Sequence, residues 1–246
     1  NVWYCMGYTL ARDQAKSVAL HDCDILTYSR EFIARLVYPV SNPLFDYEFC
    51  KGYYPRVGDN KLNGRVSRLL VTPLLKTFTK VLGHRDLIEF IDVFRYPLAG
   101  DCSFRSRLLK EIRIPSDWGL EIGLLSEMQR SQSNKKICQV DIAKMYDHKH
   151  QPLSEEDSEK GLSRMSIDIS KTLIRKLAAQ GDTFTHNTLR TIKATYYRTA
   201  LDLLETYHND AKINGLNHNI NDEEIAIELF ANNIITAGKQ FLDNPN

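Results

Sequence analysis

No stretch of this chain approaches the 18 or more consecutive apolar residues that a membrane-spanning helix requires, and its start carries no signal-peptide pattern. Charge of one sign is missing as well. Lys and Arg number 32 against 31 Asp and Glu, a net charge of +1, which supplies no field to gather nucleic acid or an anionic membrane. Cysteine is scarce and unpaired in spacing. Cys5, Cys23, Cys50, Cys102 and Cys138 form an odd set that supports neither a disulfide framework nor a Cys-His zinc site, and they read as reduced thiols of a cytoplasmic protein. Internal repeats and low-complexity tracts are also lacking. Of the 246 residues that remain to be explained, 43% are hydrophobic and 26% charged, enough for one large domain or a domain with an appendage.

The hydrophobic pattern divides the chain at residue 153. From 1 to 153, short apolar runs alternate with turns and helical spacings. A helix over 7–16 leads to a strand over 18–21, and "YSREFIARLVYPV" has helical spacing until Pro39 stops it. "LFDYEFCKGYY" places Phe45, Tyr47 and Phe49 at the period of two that marks a half-buried strand. A long helical pattern, "RVSRLLVTPLLKTFTKVLG", is interrupted by Pro73. "RYPLAGDCSF" is rich in turn residues, "DWGLEIGLLSEMQRS" is helical, and "KKICQVDIAKMY" reads as a strand that delivers the chain to "DHKHQPLS". From 154 to 246 the pattern is helical throughout. Ser154 with Asp157 makes a capping box, and stripes follow through Leu162–Leu177, Leu189–Tyr207 and Ile225–Phe241. Three helices are predicted there, with faces for core packing and for a homodimer.

Three polar groups stand out. In "KSVALHDCDILTY" a short apolar strand ends in Asp22 and Asp24, two residues apart. On an extended segment such residues face the same way, and carboxylates that close repel unless a cation lies between them. Taken alone the pair reads first as a solvated turn, since Asp favours strand ends and caps. In "YDHKHQPL", His148 lies just past a predicted strand, and two carboxylates with an imidazole would suit Mg²⁺ or Mn²⁺. In "NGRVSRLL", Gly64 opens a helix followed by Arg65, Ser67 and Arg68. Free backbone N–H groups, a hydroxyl and guanidinium forks at a helix start suit a phosphate or carboxylate, although an ordinary capped helix with solvated arginines has the same composition.

Taken in order, "ALHDCDI", "NGRVSRLLVTPLL", "YPLAGDCSF", "WGLEIGLL" and "YDHKHQPL" resemble the retaining nucleotide-sugar glycosyltransferases related to glucosyl-3-phosphoglycerate synthase. The resemblance covers residues 7–153 and extends loosely into the helical tail. It implies an α/β GT-A fold, a doubly wound sheet, as the catalytic domain over 1–153, with an α-helical extension over 154–246. It also implies that Asp22 and Asp24 hold a divalent metal on the donor diphosphate, with His148 as third ligand. Gly64, Arg65 and Ser67 match the family's Gly-Arg-Val-Thr acceptor site for the phosphate of 3-phosphoglycerate. Ser67 replaces the usual Thr, and Asn63 stands where a second Gly is common. The family's first strand with its donor-binding segment has no counterpart in this sequence, so the resemblance implies a GT-A domain without its N-terminal part.

The activity implied is transfer of glucose from a UDP-sugar to a small phosphorylated acceptor, with Asp22, Asp24, Glu121 and Asp101 as catalytic carboxylates. Glu121 and Asp101 would accept hydrogen bonds from donor-sugar hydroxyls. The departing phosphate oxygen would help deprotonate the acceptor. A relative using GDP-mannose or glycerate, a non-catalytic assembly module built on the helical tail, and an unrelated metal-dependent hydrolase are the other readings of the same residues.

Overall fold

The computed structural model describes residues 1–58, 60–147 and 161–245. In chain order the strands are β1 (Ser17–Leu20), β2 (Phe49–Tyr53), β3 (Val57–Gly58), β4 (Lys61–Leu62), β5 (Cys102–Arg105) and β6 (Ile137–Asp141). The helices are α1 (Val2–Arg12), α2 (Arg30–Ser41), α3 (Thr72–Leu82), α4 (Asp86–Asp92), α5 (Leu120–Ser131), α6 (Gly161–Ala178), α7 (His186–Ile213) and α8 (Ile220–Asp243). Four strands make one sheet in the order β1-β5-β2-β6, and β3 pairs with β4 in a separate hairpin. β5 is antiparallel to both β1 and β2, whereas β2 and β6 are parallel. β1, β2 and β6 therefore run the same way. Their carboxyl ends, with the start of β5, deliver His21–Asp24, Tyr54–Arg56, Ile142–Asp147 and Asp101 to one edge. The crevice beyond the carboxyl ends of parallel strands is where α/β sheets place ligands.

Alternation along the strands fills both faces. Phe49 and Phe104 are register partners, fully buried, and pack with Leu69, Leu74, Phe78 and Leu125 on one side. Cys50, Ile142 and Tyr146 pack on the other side against Phe32, Leu36 and Val40 of α2. Large side chains removed from water in this way contribute about 1.5–3 kcal/mol each. Helices α6–α8 do not build a core of their own. Ile169, Leu173, Tyr196, Phe230 and Ile234 belong to the same cluster as Leu69 and Phe78, and the Tyr196 hydroxyl donates to the Leu69 carbonyl. The three predicted helices are there, although Ile225 is 45% exposed. Residue 153, the predicted boundary, and the capping pair Ser154 and Asp157 lie outside the described residues.

Several local expectations are corrected. Pro39 lies inside α2, which runs on to Ser41, because a proline so close to a helix end forfeits little. The last turn closes through Ser41 Oγ donating to Val37 O at 2.9 Å and Asn42 N to Tyr38 O at 3.0 Å. Pro73 does not break its helix either. A π-helical segment over Ser67–Val71 widens the turn ahead of it, and Pro73 falls near the start of α3, where its missing N–H costs least. The strand expected from Phe45 begins only at Phe49; Phe45 and Tyr47 stack at 6.0 Å before it. β5 was hidden in a segment that reads as turns.

Candidate active site

A cavity of about 560 Å³ opens at that sheet edge. Asp22, Asp24, Gly64 and Arg65 all border it, and Glu121 and Trp118 line it as well. The motifs separated in sequence by about forty and a hundred residues thus share one space.

The acidic pair reaches the cavity by a route different from the expected one. β1 ends at Leu20, so Asp22 stands in irregular chain and Asp24 in a turn, not on an extended strand. Asp22 lies against the backbone of Gly100. A Cβ placed on Gly100 would come 2.1 Å from Asp22 Oδ1, so only glycine leaves the carboxylate its place. The turn is tied down beyond Asp24, where Leu26 N donates to Asp147 O at 2.8 Å and Asp147 N donates to Thr27 Oγ1 at 3.1 Å. His148, the next residue, lies outside the described residues. Two carboxylates at a cavity mouth are hard oxygen donors of the kind that suits Mg²⁺ or Mn²⁺. Among the described residues no group of three or more His, Cys, Asp and Glu side chains is placed to hold a metal. An ion bound here would draw its other ligands from substrate oxygens, water or residues beyond these.

Behind Asp22 sits a buried set of charges. Asp101 is fully buried and does not border the cavity. Its Oδ2 accepts from the Tyr146 hydroxyl at 2.7 Å, and its Oδ1 lies 2.7 Å from His21 Nδ1. Lys51, 1% exposed in the middle of β2, donates to the Ala99 carbonyl. Its charge acts on Glu121 and on the Cys102 thiol. Glu121 opens α5 and borders the cavity directly. Burial pushes its carboxyl above the usual range; Lys51 opposes that shift and Asp22 adds to it.

A carboxyl whose pKa is raised on folding binds its proton more tightly in the native state. Stability is then lost as pH rises past the unfolded value near 4.5. Glu121→Gln should accordingly melt a few degrees higher than the parent at pH 7, with the gap closing as pH falls towards 4.5. For the sugar transfer that the sequence motifs imply, the rate of this variant should be lower by about a hundredfold, a loss of some 2.7 kcal/mol at about 1.36 kcal/mol per tenfold. Melting curves across pH alongside turnover measure both, and equal activity would remove Glu121 from the site.

Gly64, which also borders the cavity, takes φ +75°, a left-handed conformation that its lack of a side chain permits. The Arg65 guanidinium has no ion-pair or hydrogen-bond partner among the described residues. The first backbone N–H groups of the helix that follows have no intrahelical acceptor. Ser67 does not border this cavity. It faces a second one of about 460 Å³ behind the loop, which shares Tyr54, Arg56, Asn63 and Gly64 with the first. Arg68, grouped with these residues by sequence, is spent elsewhere, on the Leu62 and Asn63 carbonyls and the Glu223 carboxylate.

No family model matches the chain. Glucosyl-3-phosphoglycerate synthase of Persephonella marina is 44% identical over 245 residues, and that of Methanococcoides burtonii is 41% identical over 249; both matches take in 100% of this chain. The chain is similar to glucosyl-3-phosphoglycerate synthases. It spans 60% of the length of these two relatives. The fold agrees. Glucosyl-3-phosphoglycerate synthase of Mycobacterium tuberculosis, solved with Mn²⁺, UDP and glucosyl-3-phosphoglycerate, superposes with a TM-score of 0.55 at 25% identity, over 72% of this chain and 53% of that one. The same synthase with Mn²⁺, UDP-glucose and phosphoglyceric acid gives 0.54 at 25% identity with the same coverage. The α/β GT-A architecture expected from the motifs is the architecture these chains share.

Beside the synthase-like motifs, the cavity uses residues that no motif marked. Arg56 lies over the rings of Tyr54 and Tyr96, 5.8 and 5.4 Å from their centroids, and borders both cavities. Tyr54 in turn stacks on Tyr146 with centroids 3.4 Å apart. Lys51 and Arg56 flank an aromatic pair in "KGYYPR", and a cation on either side of two tyrosines was the available signal. Glu223 arrives from α8 and carries no local signal at all.

Proposed function

We propose that this chain is the greater part of a metal-dependent glucosyltransferase that moves glucose from UDP-glucose to 3-phosphoglycerate with retention of anomeric configuration. The observation that carries the reading is that Asp22, Asp24, Gly64 and Arg65 border one and the same cavity. The names of the 44% and 41% identical relatives support the substrates, and the Mn²⁺, UDP-glucose and phosphoglyceric acid held by the M. tuberculosis synthase support the metal and donor.

Each residue then has a defined task. Asp22 and Asp24 would hold Mg²⁺ or Mn²⁺, which when bound offsets the charge that builds on a departing nucleoside diphosphate. His148 is assigned as a further ligand on the resemblance alone. Arg65 and the helix-start N–H groups beside Gly64 grip the acceptor phosphate, since a charge-assisted bond to phosphate is about twice as strong as a neutral one. The Ser67 hydroxyl is placed with them on the motif match. Glu121 accepts from the sugar hydroxyls at the cavity wall, and Asp101, held by Tyr146 and His21, braces the segment on which Asp22 rests. The homodimer expected from the helical stripes gains no support from them, because most of their apolar residues are consumed by the shared core.

A donor and acceptor screen on the full-length protein tests the assignment. UDP release should require UDP-glucose, 3-phosphoglycerate and a divalent metal together. Faster turnover with GDP-mannose would overturn the donor, equal turnover with glycerate would overturn the phosphate site, and product of inverted configuration would overturn retention.

A further inference from the structure

The acceptor-side wall of the cavity, from Arg56 to Val66, is held in place from the helical segment. Asn217 N donates to Asn60 O at 2.7 Å, which lays the β3–β4 hairpin against the connection between α7 and α8. A side-chain network makes the second attachment. Arg68 Nε donates to Asn63 O at 3.0 Å and its Nη2 to Leu62 O at 3.1 Å. Nη1 donates to Glu223 Oε2 at 3.0 Å, and Nη2 also meets Glu223 Oε1. Glu223 lies in the first turn of α8 and accepts from His218 Nε2 at 2.8 Å. His218 Nδ1 faces His208 Nδ1 at 3.1 Å. The Arg68 and Glu223 side chains are only 12% and 6% exposed. Burial works to raise the Glu223 carboxyl, but the bonds from Arg68 and His218 outweigh it and hold the group ionised below its usual range.

Arg68 has committed its fork and is not a ligand for substrate phosphate. What it does follows from the planarity of the peptide bond. In a trans peptide the C=O of one residue and the N–H of the next point in opposite directions. Drawing the Asn63 carbonyl onto Arg68 therefore turns the Gly64 N–H away from Arg68, and the same anchor sets the path on which Arg65 enters the cavity wall. We propose that Glu223 is a positioning residue for the anionic acceptor, acting through Arg68 to fix the Leu62–Asn63 carbonyls and with them Gly64 and Arg65. This rests on the reading of Gly64 and Arg65 as the acceptor site. It assigns the helical segment a part in acceptor affinity, and it explains why a buried carboxylate is kept at the border of a cavity meant for an anion: the Arg68 guanidinium neutralises it and His218 hydrogen-bonds to it.

Glu223→Gln keeps the shape and removes the charge. In the full-length protein it should raise the KM for 3-phosphoglycerate about ten- to a hundredfold, as expected for weakened charge-assisted bonds, with the KM for UDP-glucose within about twofold. Hydrogen exchange of the backbone amides of residues 61–65 should speed up about tenfold while those of α3 stay unchanged. Arg68→Lys retains the charge but loses the fork, and it should reproduce both effects if Glu223→Gln fails to fold; the double variant should be no worse than either. Exchange needs no activity, so a wild-type protein that transfers no sugar refutes the functional reading while exchange still judges the proposal. Unchanged exchange over 61–65, or an acceptor KM within twofold of wild type in a folded, active variant, overturns it.

Discussion

Asp22→Asn should lower sugar transfer by about a thousandfold or more at a fixed concentration of Mg²⁺ or Mn²⁺, with partial recovery as the metal is raised. The size follows from the task. A metal at a departing diphosphate is worth several kcal/mol, and about 1.36 kcal/mol is a factor of ten in rate. Asn is isosteric and keeps the packing on Gly100, so the loss reports charge and not collapse of the turn. Asp24 is exposed in its turn, whereas Asp22 is half-buried against backbone, so Asp24→Asn should fold as well as the parent and lose activity by the same mechanism. Turnover measured over a metal titration distinguishes the outcomes: activity shifted to higher metal concentration as described, or full activity at the original metal concentration, which would show that the pair only caps β1.

How much of this was legible beforehand varies with the range over which the forces act. The existence of α5 and β6, the long pattern that becomes the π-segment and α3, and the three C-terminal helices are set by periodic burial within a few turns, and periodicity is visible in one sequence; the ends are not, since β6 spans only Ile137–Asp141 of the twelve residues that read as strand. β5 was not. Only four residues long, it is a strand because Cys102, Ser103 and Phe104 pair on both sides with segments 82–86 and 51–55 positions earlier. Its neighbours Gly100 and Asp101, read as turn residues, are where they are because Asp22 needs the space above Gly100. The two prolines misled for the opposite reason: a helix end and a π-turn absorb them, and neither leaves a mark in the hydrophobic pattern.

The site divides the same way. Asp22, Asp24, Gly64, Arg65 and Glu121 border one cavity, and each sits in a local motif whose chemistry can be read. Arg68 looked like a fourth anion ligand because it shares a motif with Gly64, Arg65 and Ser67, and only the arrival of Glu223 from 155 residues away shows its fork to be occupied. Asp101 sits in a motif beside a glycine, yet its carboxylate is consumed by Tyr146 and His21. Local sequence shows which groups are chemically capable. Which of them remain available is decided by long-range partners.

Lys51 carries the largest structural consequence. It is 1% exposed on the central strand β2, and its charge favours the ionised form of Glu121 in a region that also contains Asp22 and Asp101. Lys51→Met fits the space left by the aliphatic chain but removes the cation, leaving three carboxylates in a poorly solvated place and the Ala99 carbonyl without its donor. Removing one partner of a buried charge arrangement costs about 3–5 kcal/mol, because the opposite charge remains desolvated. For a chain of this size about 2–4 °C accompanies each kcal/mol, so the melting temperature should fall by roughly 6–20 °C at pH 7. The loss should shrink on acidification, since protonating Glu121 removes the charge that Lys51 offsets. Adding Glu121→Gln to Lys51→Met should restore part of the lost stability at pH 7, and a double variant no more stable than Lys51→Met alone would show that Lys51 serves packing and not the charge of the site.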